Sequence, residues 1–224
     1  AVFRELLMFP YFAGMRFIVA SRVGRTWQDV DAVYANPPVS TEQIMHPEKY
    51  YEGDQPQFLS YEVGSALEDY KPIYDTVLGE FQVRLWLKLT LEEEGFDSAA
   101  AGWDGDRLAA FQHNDHVIVT AVLAWDDESE AKEFHQTLLK ATKKRYPQGK
   151  SFDHRGTQGE STCIEIDATE SVYIERWGDL VIYIEGAGTR AGQPSMAAIR
   201  ESIAGSLKRE SLSAVISERK ATPN

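Results

Sequence analysis

The stretch LAAFQHNDHVIVTAVLAW, residues 108–125, decides the fold predicted for this chain. Its two apolar segments, residues 108–112 and 117–125, are rich in the residue types that favour β-strands. Between them lies His113-Asn114-Asp115-His116, a polar tetrapeptide whose Asn and Asp are suited to a tight turn. The pattern therefore predicts an antiparallel hairpin.

Downstream of the hairpin, the sequence predicts a helix. Asp126 and Asp127 lie at its start and Lys143, Lys144 and Arg145 at its end, which is the charge order that a helix dipole favours. Its apolar residues recur at helical spacing and predict one buried face. This face consists of Ala131, Phe134, Leu138 and Ala141.

Three more apolar segments, residues 162–166, 172–177 and 180–184, predict strands, and Pro194-Ser195 begins a last helix. The last helix would bury Met196, Ile199, Ile203 and Leu207. The order ββ-α-βββ-α predicts an antiparallel sheet covered on one face by two helices.

Upstream of residue 100 the patterns are mainly helical. Residues 10–22 carry an apolar stripe of Tyr11, Met15 and Ile18. Thr26 begins a second helix through a capping box with Asp29. The predicted buried face of that helix consists of Trp27, Val30 and Tyr34.

Residues 79–91 fit two structures. Their apolar residues alternate strictly, as in a strand, but Phe81, Leu85 and Leu89 also recur at helical spacing, and Leu and Lys favour helix. We interpret the segment as a helix. The predicted class is therefore α+β: residues 1–100 are mainly helical, residues 101–209 form an antiparallel α+β domain, and residues 210–224 form a polar tail.

Composition excludes several classes of function. The net charge of -12 and the pI near 4.9 argue against nucleic-acid binding, which needs a basic surface, and against an anionic membrane surface. No run of 18 apolar residues exists, so no transmembrane segment is predicted. Cys163 is the single cysteine, so no intramolecular disulfide can form.

The segment PPVSTEQIMHPEKYY, residues 37–51, is dense in polar residues with specific roles. Ser40 and Gln43 predict a second capping box. Glu42, His46 and Glu48 could meet near one cleft, where a histidine beside carboxylates could move protons or help to hold a metal. The alternative is a capping and turn motif that only ties loops together.

The segment GWDGDR, residues 102–107, allows two interpretations. Asp104 and Asp106, together with Glu80, offer carboxylates that calcium could use, but the further acidic positions of an EF-hand loop are missing. Alternatively, both aspartates accept hydrogen bonds from backbone amides at a structural junction. We favour the junction, and we expect EDTA to leave the melting temperature unchanged.

The order of five motifs resembles a bacterial family of extracytoplasmic proteins, often lipoproteins, that are regarded as zinc metallopeptidases. The motifs are FPYFAGMRF (9–17), PPVSTEQIMHPEKYY (37–51), GEFQ (79–82), AAAGWDGDR (99–107) and WDDESEAKEF (125–134). In that family a zinc-binding HExxH helix lies upstream of the PPxSTEQ motif. No histidine of this chain is followed by Glu, and no two histidines have the i, i+4 spacing of a zinc helix.

The resemblance implies the C-terminal half of such a protein, outside the cytoplasm. The leading hypothesis is a non-catalytic fragment or relative that serves binding or assembly with a protein partner or an upstream domain. Two alternatives stay open: the C-terminal part of an active zinc peptidase, and an accessory subunit of a membrane complex. For this chain alone we expect no catalytic residue, no metal ligand and no cofactor, and we expect that it binds no zinc and cleaves no peptide.

Overall fold

The computed structural model describes residues 2–91, 95–155, 159–188, 194–212 and 214–215. The helices among them are α1 (Val2–Arg22), α2 (Trp27–Ala35), α3 (Thr41–Met45), α4 (Pro47–Glu52), α5 (Gly79–Thr90), α6 (Phe96–Ala100), α7 (Glu128–Arg145) and α8 (Met196–Ser206). The strands are β1 (Gln57–Ser60), β2 (Lys71–Thr76), β3 (Trp103–His113), β4 (His116–Trp125), β5 (Lys150–Arg155), β6 (Glu160–Glu165), β7 (Ser171–Trp177), β8 (Leu180–Ala187) and β9 (Lys208–Ser211).

Seven strands form one antiparallel sheet in the order β2-β3-β4-β8-β7-β6-β5, and β1 pairs with β9 in a separate ribbon. The predicted hairpin is confirmed as β3 and β4, which pair as far as His113 opposite His116. The turn is therefore tighter than the predicted tetrapeptide. Asn114 has a φ of 53°, in the left-handed region that Asn tolerates better than most residues.

The α+β class is confirmed, but the prediction that both helices cover one face of the sheet was wrong. The apolar face of α7 packs with Ala121 and Leu123 of β4, whereas α8 packs with Ile118 and Val122 of the same strand. Because successive side chains of a strand point to opposite faces, α7 and α8 lie on opposite sides of the sheet. The sheet is therefore apolar on both faces, and the periodicity of the helices could not show which face each one covers.

The helical N-terminal portion also contributes strands. β1 lies against β9, and β2 pairs with β3 at the edge of the large sheet. Both strands were missed in the sequence because they are short and partly polar. The division of the chain near residue 100 stays a prediction, and the predicted tail begins inside β9, while residues 216–224 lie outside the described residues.

Strand β2 is irregular. Pro72 is opposite Phe111 and Tyr74 is opposite Ala110, so Ile73 is an extra residue that interrupts the register. Such an extra residue is a β-bulge, which bends the strand and increases its twist. Ile73 and Tyr74 are both exposed at this edge.

Helix α1 carries the predicted apolar stripe, but this stripe does not face the core. Tyr11 and Met15 are exposed, whereas Phe17 and Ser21 are the buried residues of the helix. The side of α1 that faces the protein is held by a stack of Phe9 on Phe81, with ring centroids 3.7 Å apart. Apolar periodicity indicates an apolar face and does not indicate what covers it.

Helix α2 begins as predicted but buries other residues. Thr26 and Asp29 form the complete capping box. Val30 is buried as predicted, but the expectation for Trp27 and Tyr34 was wrong, since both are exposed and Val33 is buried in their place. Residues 79–91 were interpreted correctly as a helix, α5.

Helix α3 begins at a cap that differs in one arm from the prediction. Ser40 Oγ accepts a hydrogen bond from the Gln43 amide at 3.1 Å, as expected. The Gln43 side chain, however, accepts from the Val39 amide at 2.8 Å and donates to the Asp54 carbonyl. Gln43 therefore ties the start of α3 to the chain that follows α4.

We expect the double substitution Ser40→Ala and Gln43→Ala to lower the free energy of unfolding by about 1–2 kcal/mol, because both arms of the cap are lost. Urea denaturation of the purified protein measures this change. Ser65→Ala, at an exposed position, is the control and should change stability by less than about 0.5 kcal/mol. A double variant as stable as the parent would show that the cap contributes nothing.

Candidate functional site

His46 and Glu80 form a close pair, although they are far apart in the sequence. His46 lies between α3 and α4, where Pro47 begins α4, so the corner fixes its backbone. Its Nε2 atom lies 2.9 Å from Glu80 Oε1, in the first turn of α5. Its other nitrogen, Nδ1, lies 3.7 Å from a Glu48 carboxylate oxygen.

Glycine is required directly before Glu80. Gly79 has a φ of 75°, in the left-handed region, and a Cβ atom there would lie 2.6 Å from Thr41 Oγ1. Thr41 Oγ1 also accepts a hydrogen bond from the Phe81 amide at 3.3 Å. The start of α5 is therefore packed directly against α3, which brings Glu80 to His46.

One oxygen of the Glu80 carboxylate has no hydrogen-bond partner among the described residues. Glu80 is 1% exposed, its Oε1 meets His46, and its Oε2 is buried without a partner. A buried carboxylate oxygen left without a donor is unfavourable, because it has lost water and gained nothing in return. Glu80 can therefore accept one further hydrogen bond.

The pair lies in a cleft of about 620 Å³ between α1 on one side and α3 and α5 on the other. Its volume is within the range of small-molecule sites. Among the charged lining residues, Arg84 forms ion pairs with both Glu5 and Asp97. Its apolar walls consist of Met8, Phe9, Phe12, Ile44, Met45 and Phe81.

A second polar group lies next to the pair. Lys49 Nζ is 2.6 Å from Glu42 Oε1 and 3.5 Å from an Asp54 oxygen, and it also bonds Asp126. Glu42 is 2% exposed, so one ammonium group serves three carboxylates of which one is buried. Burial of Glu42 therefore opposes its ionisation, while the neighbouring ammonium group favours it.

The pKa values of these groups follow from burial and from their partners. Burial raises the pKa of Glu42 to about 7, although Lys49 opposes this effect. The hydrogen bond to Glu80 raises the pKa of His46 above its usual value. Burial lowers the pKa of Lys49, but its hydrogen bonds to Asp126 and Glu42 outweigh burial and raise it.

We expect the protein to be more stable at about pH 5.5 than at about pH 8, by about 1–3 kcal/mol. The folded state holds the Glu42 proton more tightly than the unfolded chain, so this stabilisation is present at low pH and is lost as the pH rises through about 7. The raised pKa values of His46 and Asp104 act in the same direction, whereas the lowered pKa of the buried His135 opposes them. Urea denaturation at the two pH values measures the difference.

Glu42→Gln is the matched control for this pH dependence. The amide oxygen can still accept from Lys49, but the side chain no longer titrates, so the difference between the two pH values should shrink. Carboxyl groups whose pKa is lowered, such as Asp75 beside Arg107, titrate at lower pH and do not affect this window. Equal or greater stability of the parent at the higher pH would contradict the assignment.

Asp104 and Asp106 form a separate polar group. Asp106 accepts hydrogen bonds from the amides of Leu78 and Gly79 and from the Trp103 indole, each at 2.8 Å. Asp104 accepts from the Gln57 side chain, and burial raises its pKa to about 6. Within the described ranges no three His, Cys, Asp or Glu side chains converge to hold a metal ion.

The structure thus divides the six sequence candidates into two groups. Glu42, His46, Glu48 and Glu80 surround one corner, while Asp104 and Asp106 lie in β3. The sequence did not indicate that Lys49 belongs to this group or that α1 forms one side of the cleft. Lys49 is present in the same motif as Glu42, but its partner Asp126 follows β4, and only the fold brings them together.

A family model described as "Domain of unknown function (DUF8575)" matches residues 69–196, more than half of the chain. The match runs from β2 to β8 and does not include α1–α4. No curated protein matches the chain at a significant level. Among solved structures, the extracellular domain of PknH from Mycobacterium tuberculosis is similar at 13% identity over 71% of this chain and 90% of that chain, with a TM-score of 0.33. No helix in the described part of the chain is long and apolar enough to cross a membrane.

Proposed function

Since this chain belongs to the family described as a domain of unknown function (DUF8575), whose description assigns no activity, we propose from the site that it is a non-catalytic binding module. Its cleft holds an apolar, ring-bearing group that donates one hydrogen bond from a neutral N–H or O–H. The observation that carries this proposal is Glu80, which lines the cleft and whose Oε2 atom is buried without a partner among the described residues.

Binding is favoured over catalysis by the residue types that line the cleft. None of the described lining residues is a serine, threonine, cysteine, lysine or tyrosine, so no side chain of the usual hydroxyl, thiol or amine nucleophiles is at hand. Cys163 lies in β6, and burial raises the pKa of its thiol. Both nitrogens of His46 face carboxylate oxygens, to which a histidine donates, so neither nitrogen is free to take a proton from a nucleophile.

The ligand chemistry follows from the walls and from the free acceptor. Phe9, Phe12 and Phe81 offer aromatic surface, against which rings pack favourably. Glu80 offers a buried hydrogen-bond acceptor. A site with such an acceptor discriminates strongly against a ligand that lacks the matching donor. A free small molecule and a tryptophan or tyrosine side chain of a protein share this chemistry.

Naphthalenemethanol and its methyl ether test the proposal, because they share the ring and differ in one O–H donor. We expect the parent protein to bind the alcohol at least about tenfold more tightly than the ether, as measured by calorimetry or by NMR shifts of residues around the cleft. In Glu80→Gln this preference should largely disappear. Phe12→Ala should weaken the binding of both compounds. His113 lies outside the cleft, so His113→Ala should leave the binding of both unchanged.

Three results would overturn the proposal. The first is equal binding of the ether and the alcohol, and the second is no binding of either compound at millimolar concentration. Stronger binding of naphthoate than of the alcohol would show that the cleft selects anions, through Arg16 on its wall, instead of neutral donors. A tryptophan-containing peptide tested beside the alcohol distinguishes a protein ligand from a small molecule.

We also propose that the protein acts outside the cytoplasm and is related to the metallopeptidase-like proteins. The support is the order of the sequence motifs, of which PPVSTEQIMHPEKYY and GEFQ form the corner around His46 and Glu80. A phosphatase reporter that is active only outside the cytoplasm, fused to the protein in its own host, tests the location. A reporter that stays inactive while the fusion is expressed would contradict it.

A further inference from the structure

Helix α1 presents a continuous apolar ridge to solvent. The ridge consists of residues at every fourth position and continues to one residue beyond the helix. Each side chain is between 57% and 74% exposed. Its members are Phe3, Leu7, Tyr11, Met15, Val19 and Val23.

A row of this length is unusual on the surface of a protein. Single exposed apolar residues are common, but contiguous apolar surfaces of several hundred Å² mark interaction sites. The six side chains are large and mostly uncovered, and neighbouring members of the row are turned by only about 40° from one another around the helix axis. About four neighbouring members can therefore face one partner and form the apolar centre of an interface.

The residue types of α1 are also those of protein interfaces. Aromatic residues, Met and Arg are enriched at the centres of such interfaces, whereas Lys, Asp and Glu are depleted. Along α1 the charged residues are Arg4, Arg16, Arg22 and the single acid Glu5. Glu5 is bound to Lys88 of α5 at 2.6 Å, on the side of α1 that faces the protein.

The charge around the ridge is opposite to that of the whole chain. The protein has a net charge of -12, but α1 carries three arginines against one glutamate, which Lys88 already neutralises. On α2, Asp29 is occupied by its own capping box and Asp31 is exposed. A partner that carries carboxylates beside its apolar surface would complement this region.

We propose that the ridge docks an amphipathic helix of a protein partner, with an apolar row flanked by carboxylates. A row of residues at i, i+4 spacing packs into the groove of another helix at a crossing angle of about -50°. Arg4 and Arg22 would then lie beside the acidic flanks of the partner helix, whereas Arg16 lines the cleft. None of the six ridge residues lines the Glu80 cleft.

Two other occupants fit the observations less well. A second copy would set the same arginines near each other across a symmetric contact, and like charges at an interface are unfavourable. A helix that lies on a membrane has a strongly charged face opposite its apolar face. The opposite face of α1 instead packs on the protein, with Phe9 stacked on Phe81.

Two short amphipathic helical peptides test the proposal, one built from leucine and glutamate and the other from leucine and lysine. Trp27 is a suitable reporter, because it is exposed and its ring lies 4.5 Å from the Arg22 guanidinium at the end of α1. We expect the glutamate peptide to shift the emission of Trp27 to shorter wavelength and to bind at least tenfold more tightly than the lysine peptide. Trp27→Phe removes the signal and identifies its source.

Substitutions on the ridge localise the binding. The double substitution Tyr11→Ser and Met15→Ser should weaken binding of the glutamate peptide at least tenfold. It should leave the binding of naphthalenemethanol in the cleft unchanged. Because both side chains are exposed, the variant should fold like the parent. The matched control is Phe152→Ser, an exposed aromatic residue on β5, which should leave peptide binding unchanged.

Four outcomes would overturn the proposal. The first two are equal binding of the two peptides and no binding of either peptide. The third is dimerisation of the parent protein that the Tyr11 and Met15 substitutions abolish, which would make a second copy the occupant. The fourth is binding to vesicles that contain phosphatidylglycerol, lost in the same variant, which would make a lipid surface the occupant. The proposal and the cleft's function fail independently, because each has its own probe.

Discussion

Arg200→Met is expected to lower the free energy of unfolding by about 3–5 kcal/mol, because it leaves a buried carboxylate without its counter-ion. Glu175 of β7 is fully buried. Both of its oxygens accept from the Arg200 guanidinium of α8, at 2.8 and 2.9 Å. Tyr173 adds a third hydrogen bond at 2.8 Å. Urea denaturation at neutral pH measures the loss.

Two controls separate the loss of charge pairing from a general loss of packing. Combining Arg200→Met with Glu175→Leu removes both charges, and this double variant should recover most of the stability. Arg209 pairs with Asp179 by the same two-pronged geometry nearer the surface. Arg209→Met should therefore lower stability by about 1 kcal/mol or less. Similar losses at Arg200 and Arg209 would refute the argument from burial.

Asp106→Ala should lower the free energy of unfolding by at least about 3 kcal/mol, since each buried donor left unpaired contributes about 1–3 kcal/mol. The donors are the amides of Leu78 and Gly79 and the indole of Trp103. Asp106 is 1% exposed, so water cannot replace the lost acceptor without opening the core. Thermal or urea denaturation of the variant measures the effect.

Asp104→Ala is the companion variant in the same strand. Asp104 is only partly buried and accepts from the Gln57 side chain, so its loss should be smaller, near about 1 kcal/mol. The parent should melt at the same temperature in EDTA and in calcium, because the oxygens of Asp106 already accept from three protein donors. A melting temperature that falls in EDTA and recovers with calcium would show that the segment is a metal site and not a structural junction.

Features that depend on neighbouring residues could be predicted from the sequence. The β3–β4 hairpin is set by a short turn at Asn114 and Asp115 between two apolar segments. The Thr26 capping box and the Ser40 cap each link residues three positions apart. In these cases the interacting atoms are near each other before the chain folds, so the local pattern carries the information.

Features that depend on distant residues could not be predicted. The sequence suggested Glu42, His46 and Glu48 as one group, but the closest partner of His46 is Glu80, which α5 brings from 34 positions away. The exposure of Trp27 was missed for a different reason. Periodicity shows that a helix face is apolar, but a face that binds another molecule has the same pattern as a face that packs on its own core.

The irregular edge strand β2 limits how molecules of this protein can associate. An exposed sheet edge with free amides and carbonyls can add a strand from another molecule, and this is the first step of fibre growth. Pro72 has no amide hydrogen to offer, the extra residue Ile73 bends the edge, and Lys71 places a charge at its end. Pairing between backbones is therefore blocked along this strand even though Ile73 and Tyr74 are exposed. Contacts at this edge must form through side chains, and such contacts can separate again.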